Sequence, residues 1–173
     1  MPSGLLQRAW AAIACRRDPH RYHRQRGVRI GARVSLLGTT PHTFGSEPYL
    51  VTIGNDVTIS SDVRFVTHDG GLRVVRRENP GAFWYAPITV EDGAFVGTGT
   101  LLLPGVTVGA RSVVGARSLV TSDVPPDTVV AGTPARPIRS VAEYAEARRD
   151  EWIDTSGLTP EAKERKLRAA FGR

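Results

Sequence analysis

The sequence predicts a mainly β fold, a coil of short stacked strands, and three observations predict it. Stepping by six from Val90 meets Val96, Leu102, Val108, Val114 and Val120, all branched aliphatics. Val, Ile and Leu make up about 22% of the chain, so six such hits in one register arise by chance roughly once in ten thousand trials. The second observation is that the fifth place of each hexad is small or branched: Ala94, Thr100, Val106, Ser112, Ser118 and Val124. Between them lie turn-forming pairs such as Asp92-Gly93, Thr98-Gly99 and Pro104-Gly105. The third is that the same grid occurs earlier, at Ile53, Ile59 and Phe65 with Val57 and Val63, and again at Ile30 and Leu36 around Val34. A period of six does not fit the helical 3.6, and each hexad divides into a short extended piece and a corner. Three hexads close one coil, and equivalent side chains then stack about 4.8 Å apart in a column that no single coil could bury alone.

The elements follow in chain order. Residues 1–26 form a basic N-terminal helical arm, in which Leu5, Leu6, Trp10 and Ile13 predict a short amphipathic helix. Its expected task is to cover the open first coil, with a weak membrane-surface contact as the other reading. His20 and His23 are expected at the surface of this arm. Residues 27–139 form the coil, interrupted twice. The gap from Leu37 to Val51 holds His42 and the run Gly45-Ser46-Glu47-Pro48-Tyr49-Leu50, and residues 66–87 leave the grid as a long loop, because Phe65 and Val90 are not separated by a multiple of six. Residues 140–173 form a helical extension. Ser140-Val141-Ala142-Glu143 has capping-box spacing and Thr159-Pro160-Glu161 places an N-cap before proline, predicting helices over about 141–153 and 160–171.

Composition narrows the function classes. The chain has 173 residues, 40% hydrophobic and 23% charged, as one soluble domain does. No apolar run approaches the roughly 18 to 20 residues of a membrane span. A lone cysteine, Cys15, excludes an intramolecular disulfide and a multi-thiolate metal site, and a cysteine-poor chain without a signal sequence is expected in the cytoplasm. The net charge of +6 lies almost wholly in residues 1–26, six arginines against Asp18. The nearly neutral remainder argues against a nucleic-acid groove, so no nucleic-acid partner is expected.

His68, in the run Thr67-His68-Asp69-Gly70-Gly71 at the root of the long loop, is the sharpest candidate for chemistry. Histidine supplies a base of near-neutral pKa without large tuning, although a loop histidine is also an ordinary solvated turn residue. Phe83-Trp84-Tyr85 near the loop's return can stack on a sugar face or anchor the loop to the coil.

The hexads, this loop and the closing run Val124-Pro125-Pro126 through Ala131-Gly132-Thr133-Pro134-Ala135-Arg136-Pro137-Ile138-Arg139 resemble the hexapeptide-repeat acyltransferases. That resemblance, and not the period, implies a left-handed parallel β-helix. Gly45 to Gly54 followed by Thr67 to Gly70 looks most like the capsule and exopolysaccharide branch, with the maltose and galactoside acetyltransferases a looser match. The resemblance implies that His68 is the general base. Glu47 or Ser46 stands where the galactoside enzymes have an asparagine, which makes Glu47 a second catalytic candidate. Ser46, Asp69, Trp84 and Tyr85 become acceptor-binding candidates, Asp69 being also suited to a plain turn. Gly97, Thr98, Ala116 and Thr121 match the corner positions that meet acetyl-coenzyme A, and Arg136 and Arg139 lie where relatives meet its phosphates. Ser122 replaces a common lysine.

The implied activity is an acetyl-CoA-dependent O-acetyltransferase of polysaccharide biosynthesis, acting on the sugar hydroxyl of a glycan, polysaccharide precursor or glycoside. It would work by direct attack on the thioester, as a homotrimer with intersubunit sites and without a metal. The alternatives are N-acetylation of an amino sugar or nucleotide sugar, an antibiotic-modifying acetyltransferase, and a non-catalytic trimeric scaffold or ligand-binding module. A γ-type carbonic anhydrase needs three histidines, and the repeat region offers two, His42 and His68.

Overall fold

The structure, a computed structural model, describes residues 4–172. Its body is a three-faced coil. One face stacks β1 (Arg29–Ile30), β3 (Val51–Ile53), β6 (Ile88–Val90) and β9 (Thr107–Val108). The second stacks β2 (Ser35–Leu36), β4 (Thr58–Ile59), β7 (Phe95–Val96), β10 (Val113–Val114) and β12 (Thr128–Gly132). The third stacks β5 (Arg64–Phe65), β8 (Leu101–Leu102) and β11 (Leu119–Val120). All these pairings are parallel, and the register puts Val90 beside Val108, Val96 beside Val114 and Leu102 beside Val120. One coil is therefore three hexads. The aliphatic grid from Val90 to Val120 is at most 1% exposed, and the fifth places from Ala94 to Val124 are buried with it. Each strand sends alternate residues inward, so one aliphatic and one small or branched position per hexad suffice to fill the prism.

The corners explain the fourth place of the first five hexads from Val90. Gly93, Gly99 and Gly105 have φ of 71°, 72° and 84°, and Arg111 and Arg117 adopt the same left-handed conformation at 54° and 56°. Glycine enters that region without a Cβ penalty, whereas the arginines are held there by the coil. Gly97 has a different reason. A Cβ there would lie 2.6 Å from the amide nitrogen of Ala116 on the next coil.

Two helices precede the coil, α1 (Gly4–Arg17) and α2 (Pro19–Gln25), the second capped by Asp18, whose carboxylate accepts from the Arg21 N–H at 2.9 Å. The sequence-based expectation for the arm needs correcting in two respects. Leu5, Leu6, Trp10 and Ile13 do not cover the first coil but are 53–79% exposed. The cover is made instead by Cys15 and by His23, which is fully buried rather than at the surface. His23 packs edge-on against Phe44 at 4.7 Å and Tyr22 at 5.1 Å, and its Nε2 lies 3.5 Å from the Cys15 sulfur. The reason is geometric, since Ala11 and Cys15 share the inward face of α1 and Leu6, Trp10 and Ile13 fall opposite. Burial, with Arg26 and His20 nearby, lowers the His23 pKa to about 4, so the ring is neutral.

At the other end β12 turns back as β13 (Ala135–Ser140), the antiparallel partner that covers the edge of the second face. The capping box of Ser140 and Glu143 opens α3 (Val141–Glu146), which is shorter than the expected 141–153 and gives way to a 3-10 turn at Arg149–Glu151. None of its residues is buried, so nothing beyond the cap extends it. Thr159 caps α4 (Pro160–Ala170).

Candidate active site

The long loop leaves the third face just after β5. Val66 still donates to the Leu102 carbonyl, the last bond of the coil, and the chain then forms a short antiparallel clamp. Ala86 donates to the Thr67 carbonyl and Asp69 to the Trp84 carbonyl, both at 3.0 Å, with His68 directly opposite Tyr85. His68 thus sits on a two-stranded root and not on a free loop tip. The other interruption of the coil brings its partner: a 3-10 turn at Pro48–Leu50 holds Glu47 over the same edge.

Glu47 Oε2 accepts two hydrogen bonds, from Thr67 Oγ1 at 2.6 Å and from His68 Nδ1 at 2.9 Å. Burial pushes the Glu47 carboxyl up, but the hydrogen bonds from Thr67, His68 and Ser46 outweigh it and hold the group below its ordinary value. An ionised carboxylate only accepts, so Nδ1 carries the proton, and Nε2 takes no partner among the described residues. The imidazole is partly open to solvent while the carboxylate behind it is nearly covered. In front lies a cleft of about 330 Å³ lined by Gly45, Ser46, Arg64, Thr67, His68 and Leu101. A fixed neutral imidazole with one free nitrogen at a cleft wall can take a proton from a hydroxyl or an amine.

Ser46, Glu47 and His68 therefore meet at one edge, though Glu47 and His68 are 21 residues apart. The ring of Tyr85 lies 5.6 Å from that of His68, and Tyr85 and Trp84 are each 49% exposed. Phe83 is tied down, with the Arg76 guanidinium 3.8 Å above its ring. Asp69 fills the turn role also expected of it: its Oδ1 accepts from the Gly71 N–H at 2.7 Å and caps the turn at Gly70–Val75. Two lining residues were missed at sequence level, Thr67 as a second donor to Glu47 and Arg64 on β5. The only signals were adjacency to His68 and to the buried Phe65.

The candidates for meeting acetyl-coenzyme A lie in three places. Gly97 and Thr98 follow β7, and Ala116 follows β10 one coil later, in the same corner column. Gly97 donates to the Val114 carbonyl at 2.8 Å, so its N–H is committed to the coil, whereas the N–H groups of Thr98 and Ala116 take no partner among the described residues. Thr121 follows β11 on the corner column that begins with Val66 beside His68. Arg136 and Arg139 are exposed on β13, and Arg136 Nη1 donates to the Ala135 carbonyl at 2.9 Å. Within one chain Gly97, Thr98 and Ala116 border one side of the third face and Thr121 the other, while Arg136 and Arg139 lie on β13 at the edge of the second face.

No family model matches the chain. It is 45% identical over 121 residues to the protein CapG of Staphylococcus aureus, a match covering 70% of each chain. It is 39% identical over 95 residues to the galactoside O-acetyltransferase of Escherichia coli, covering 55% of this chain and 46% of that enzyme. Among solved structures, a hexapeptide-repeat acetyltransferase of Vibrio cholerae superposes with a TM-score of 0.57 at 28% identity, covering 72% of this chain and 80% of that one. The same protein complexed with acetyl-coenzyme A superposes at 0.51, also at 28% identity, covering 72% and 77%.

Proposed function

The chain belongs to the hexapeptide-repeat acetyltransferases, built on the left-handed parallel β-helix, and we propose that it transfers an acetyl group from acetyl-coenzyme A to a hydroxyl of a sugar. The observation that carries this reading is the Glu47–His68 pair at the wall of the cleft, the arrangement of an oriented base. His68 Nε2 takes the proton of the acceptor hydroxyl as its oxygen attacks the thioester carbonyl. The C–O bond forms, the C–S bond breaks, and the proton passes from the imidazolium to the departing thiolate. Glu47 is the positioning residue. It fixes the Nδ1–H tautomer and offsets the charge that the ring gains in the transition state. Thr98, whose N–H is free, is the better oxyanion donor of the two corner residues, since that of Gly97 is engaged.

Small corner residues and the free N–H group of Ala116 suit the extended pantetheine arm, with Thr121 on another corner column and Arg136 and Arg139 toward the phosphates. Their spread over separate edges is the reason to expect a homotrimer, in which a groove between neighbouring subunits joins them. Ser46, Trp84 and Tyr85 face the acceptor, the rings offering flat surface to a sugar. The similarity to the galactoside O-acetyltransferase supports a sugar hydroxyl as acceptor; a glycan or its precursor as that acceptor, in cytoplasmic polysaccharide biosynthesis, is the reading we propose.

The test is acetyl transfer from labelled acetyl-coenzyme A to a panel of sugars, amino sugars and nucleotide sugars, with His68→Ala beside the wild type. Loss of about 10²- to 10⁴-fold in turnover at unchanged melting temperature is expected. Near-normal turnover of the variant refutes His68 as the base, and labelling of amines alone refutes O-acetylation.

A further inference from the structure

The apolar stripe of α1 has no partner among the described residues of its own chain. Leu6, Trp10 and Ile13 are spaced as one helical face, they are 53%, 68% and 58% exposed, and Leu5 beside them is 79% exposed. The opposite face is the one that holds the helix to the body, through buried Cys15 and half-buried Ala11. The charge around the stripe has one sign. α1 contains no acidic residue, and Arg16, Arg17 and Arg21 are all exposed, whereas Arg8 lies on the body side of the helix with Ala11. Two further arginines are occupied: Arg24 donates to the Ile30 and Gly31 carbonyls and Arg26 lies over the Tyr22 ring. Asp18, the single acidic residue of the arm, is engaged as the cap of α2.

We propose that α1 is an interfacial helix that docks the protein on an anionic lipid surface. Leu6, Trp10 and Ile13 enter the boundary between headgroups and acyl chains while the free arginines meet the phosphates. A tryptophan, branched aliphatics and arginines on one helix supply both signals that lasting surface binding requires. Each arginine near such a surface raises partitioning about fivefold, and the gain is screened by salt. A second copy of this chain fits the stripe less well. Pairing α1 with α1 sets Arg16 and Arg17 against their own kind, and residues 27–173, with seventeen basic and sixteen acidic side chains, carry no net acidic field to receive them.

The test is sedimentation of the full chain with phosphatidylcholine vesicles, pure or carrying about one-third phosphatidylglycerol. Binding is expected to the anionic vesicles, much weaker binding to the neutral ones, and a fall as salt is raised. Trp10→Glu is expected to weaken binding about tenfold or more, and Arg16→Glu with Arg17→Glu by a comparable factor, with circular dichroism and the mass by light scattering unchanged. Equal affinity for both vesicle types, or no sedimentation of the wild type with either, overturns the proposal. A reduced oligomeric mass for Trp10→Glu also overturns it, by assigning the stripe to a contact between subunits.

Discussion

Glu47→Ala removes one oxygen that serves two donors, and the two consequences separate in experiment. Thr67 Oγ1, at 2.6 Å from Glu47 Oε2, belongs to a side chain only 1% exposed, so without the carboxylate its hydroxyl is left buried and unpaired. Such a group costs about 1 to 3 kcal/mol of stability. His68, at 2.9 Å, loses the partner that sets its tautomer. A base that must find its own orientation and hold an uncompensated charge loses about 10²- to 10³-fold in turnover. Glu47→Gln keeps an acceptor for Nδ1–H but not the charge, and its amide still meets the Thr67 hydroxyl, which can turn to accept. Its stability is therefore expected near wild type, with turnover down by about tenfold or more. Because the Glu47 carboxyl is held below its ordinary value of 4.5, the folded chain binds fewer protons there than the unfolded chain. Its contribution is full above that value and is lost as pH falls through the lower folded one, so both variants should show a shallower acid destabilisation below pH 4.5. Urea unfolding at pH 7 and at pH 4, run beside steady-state kinetics, reads all three quantities. Wild-type turnover in Glu47→Ala refutes the positioning role, and stability falling in Glu47→Gln as far as in Glu47→Ala refutes the buried Thr67 hydroxyl as its cause.

Three further outcomes are expected. His23, lowered from 6.5 to about 4 by burial, holds a proton in the unfolded chain that the folded cap excludes, so stability is complete above pH 6.5 and falls by up to about 3 kcal/mol toward pH 4; His23→Leu should abolish that slope, and an equal slope in the variant points to another group. Arg136→Ala should weaken acetyl-coenzyme A binding about tenfold, with a shallower salt dependence, while acetyl-pantetheine is used equally by both proteins; equal loss with both donors places Arg136 outside the phosphate site. Trp84→Ala should raise the Michaelis constant for the sugar about tenfold and leave that for acetyl-coenzyme A unaltered; a lowered melting temperature with unchanged constants makes Trp84 an anchor of the loop.

The repeat was legible in the sequence because it is local and periodic. Whether Val96 is buried depends on its place in the hexad, and the register that sets it on Val114 is only the closure of three hexads. The same holds for the corner glycines and for the caps at Ser140 and Thr159, whose partners lie within a few residues. His68 stood out because the grid breaks beside it. What sequence reasoning left open was how the two interruptions of the coil meet. That Glu47 rather than Ser46 meets His68, and that Thr67 shares its oxygen, depend on two interruptions of the coil returning to one edge. The arm shows the same division. Helix and charge were readable from residues 1–26, but which face of α1 turns inward was decided by Cys15, His23 and Phe44 closing the first coil, a contact between distant segments that leaves no period in the sequence.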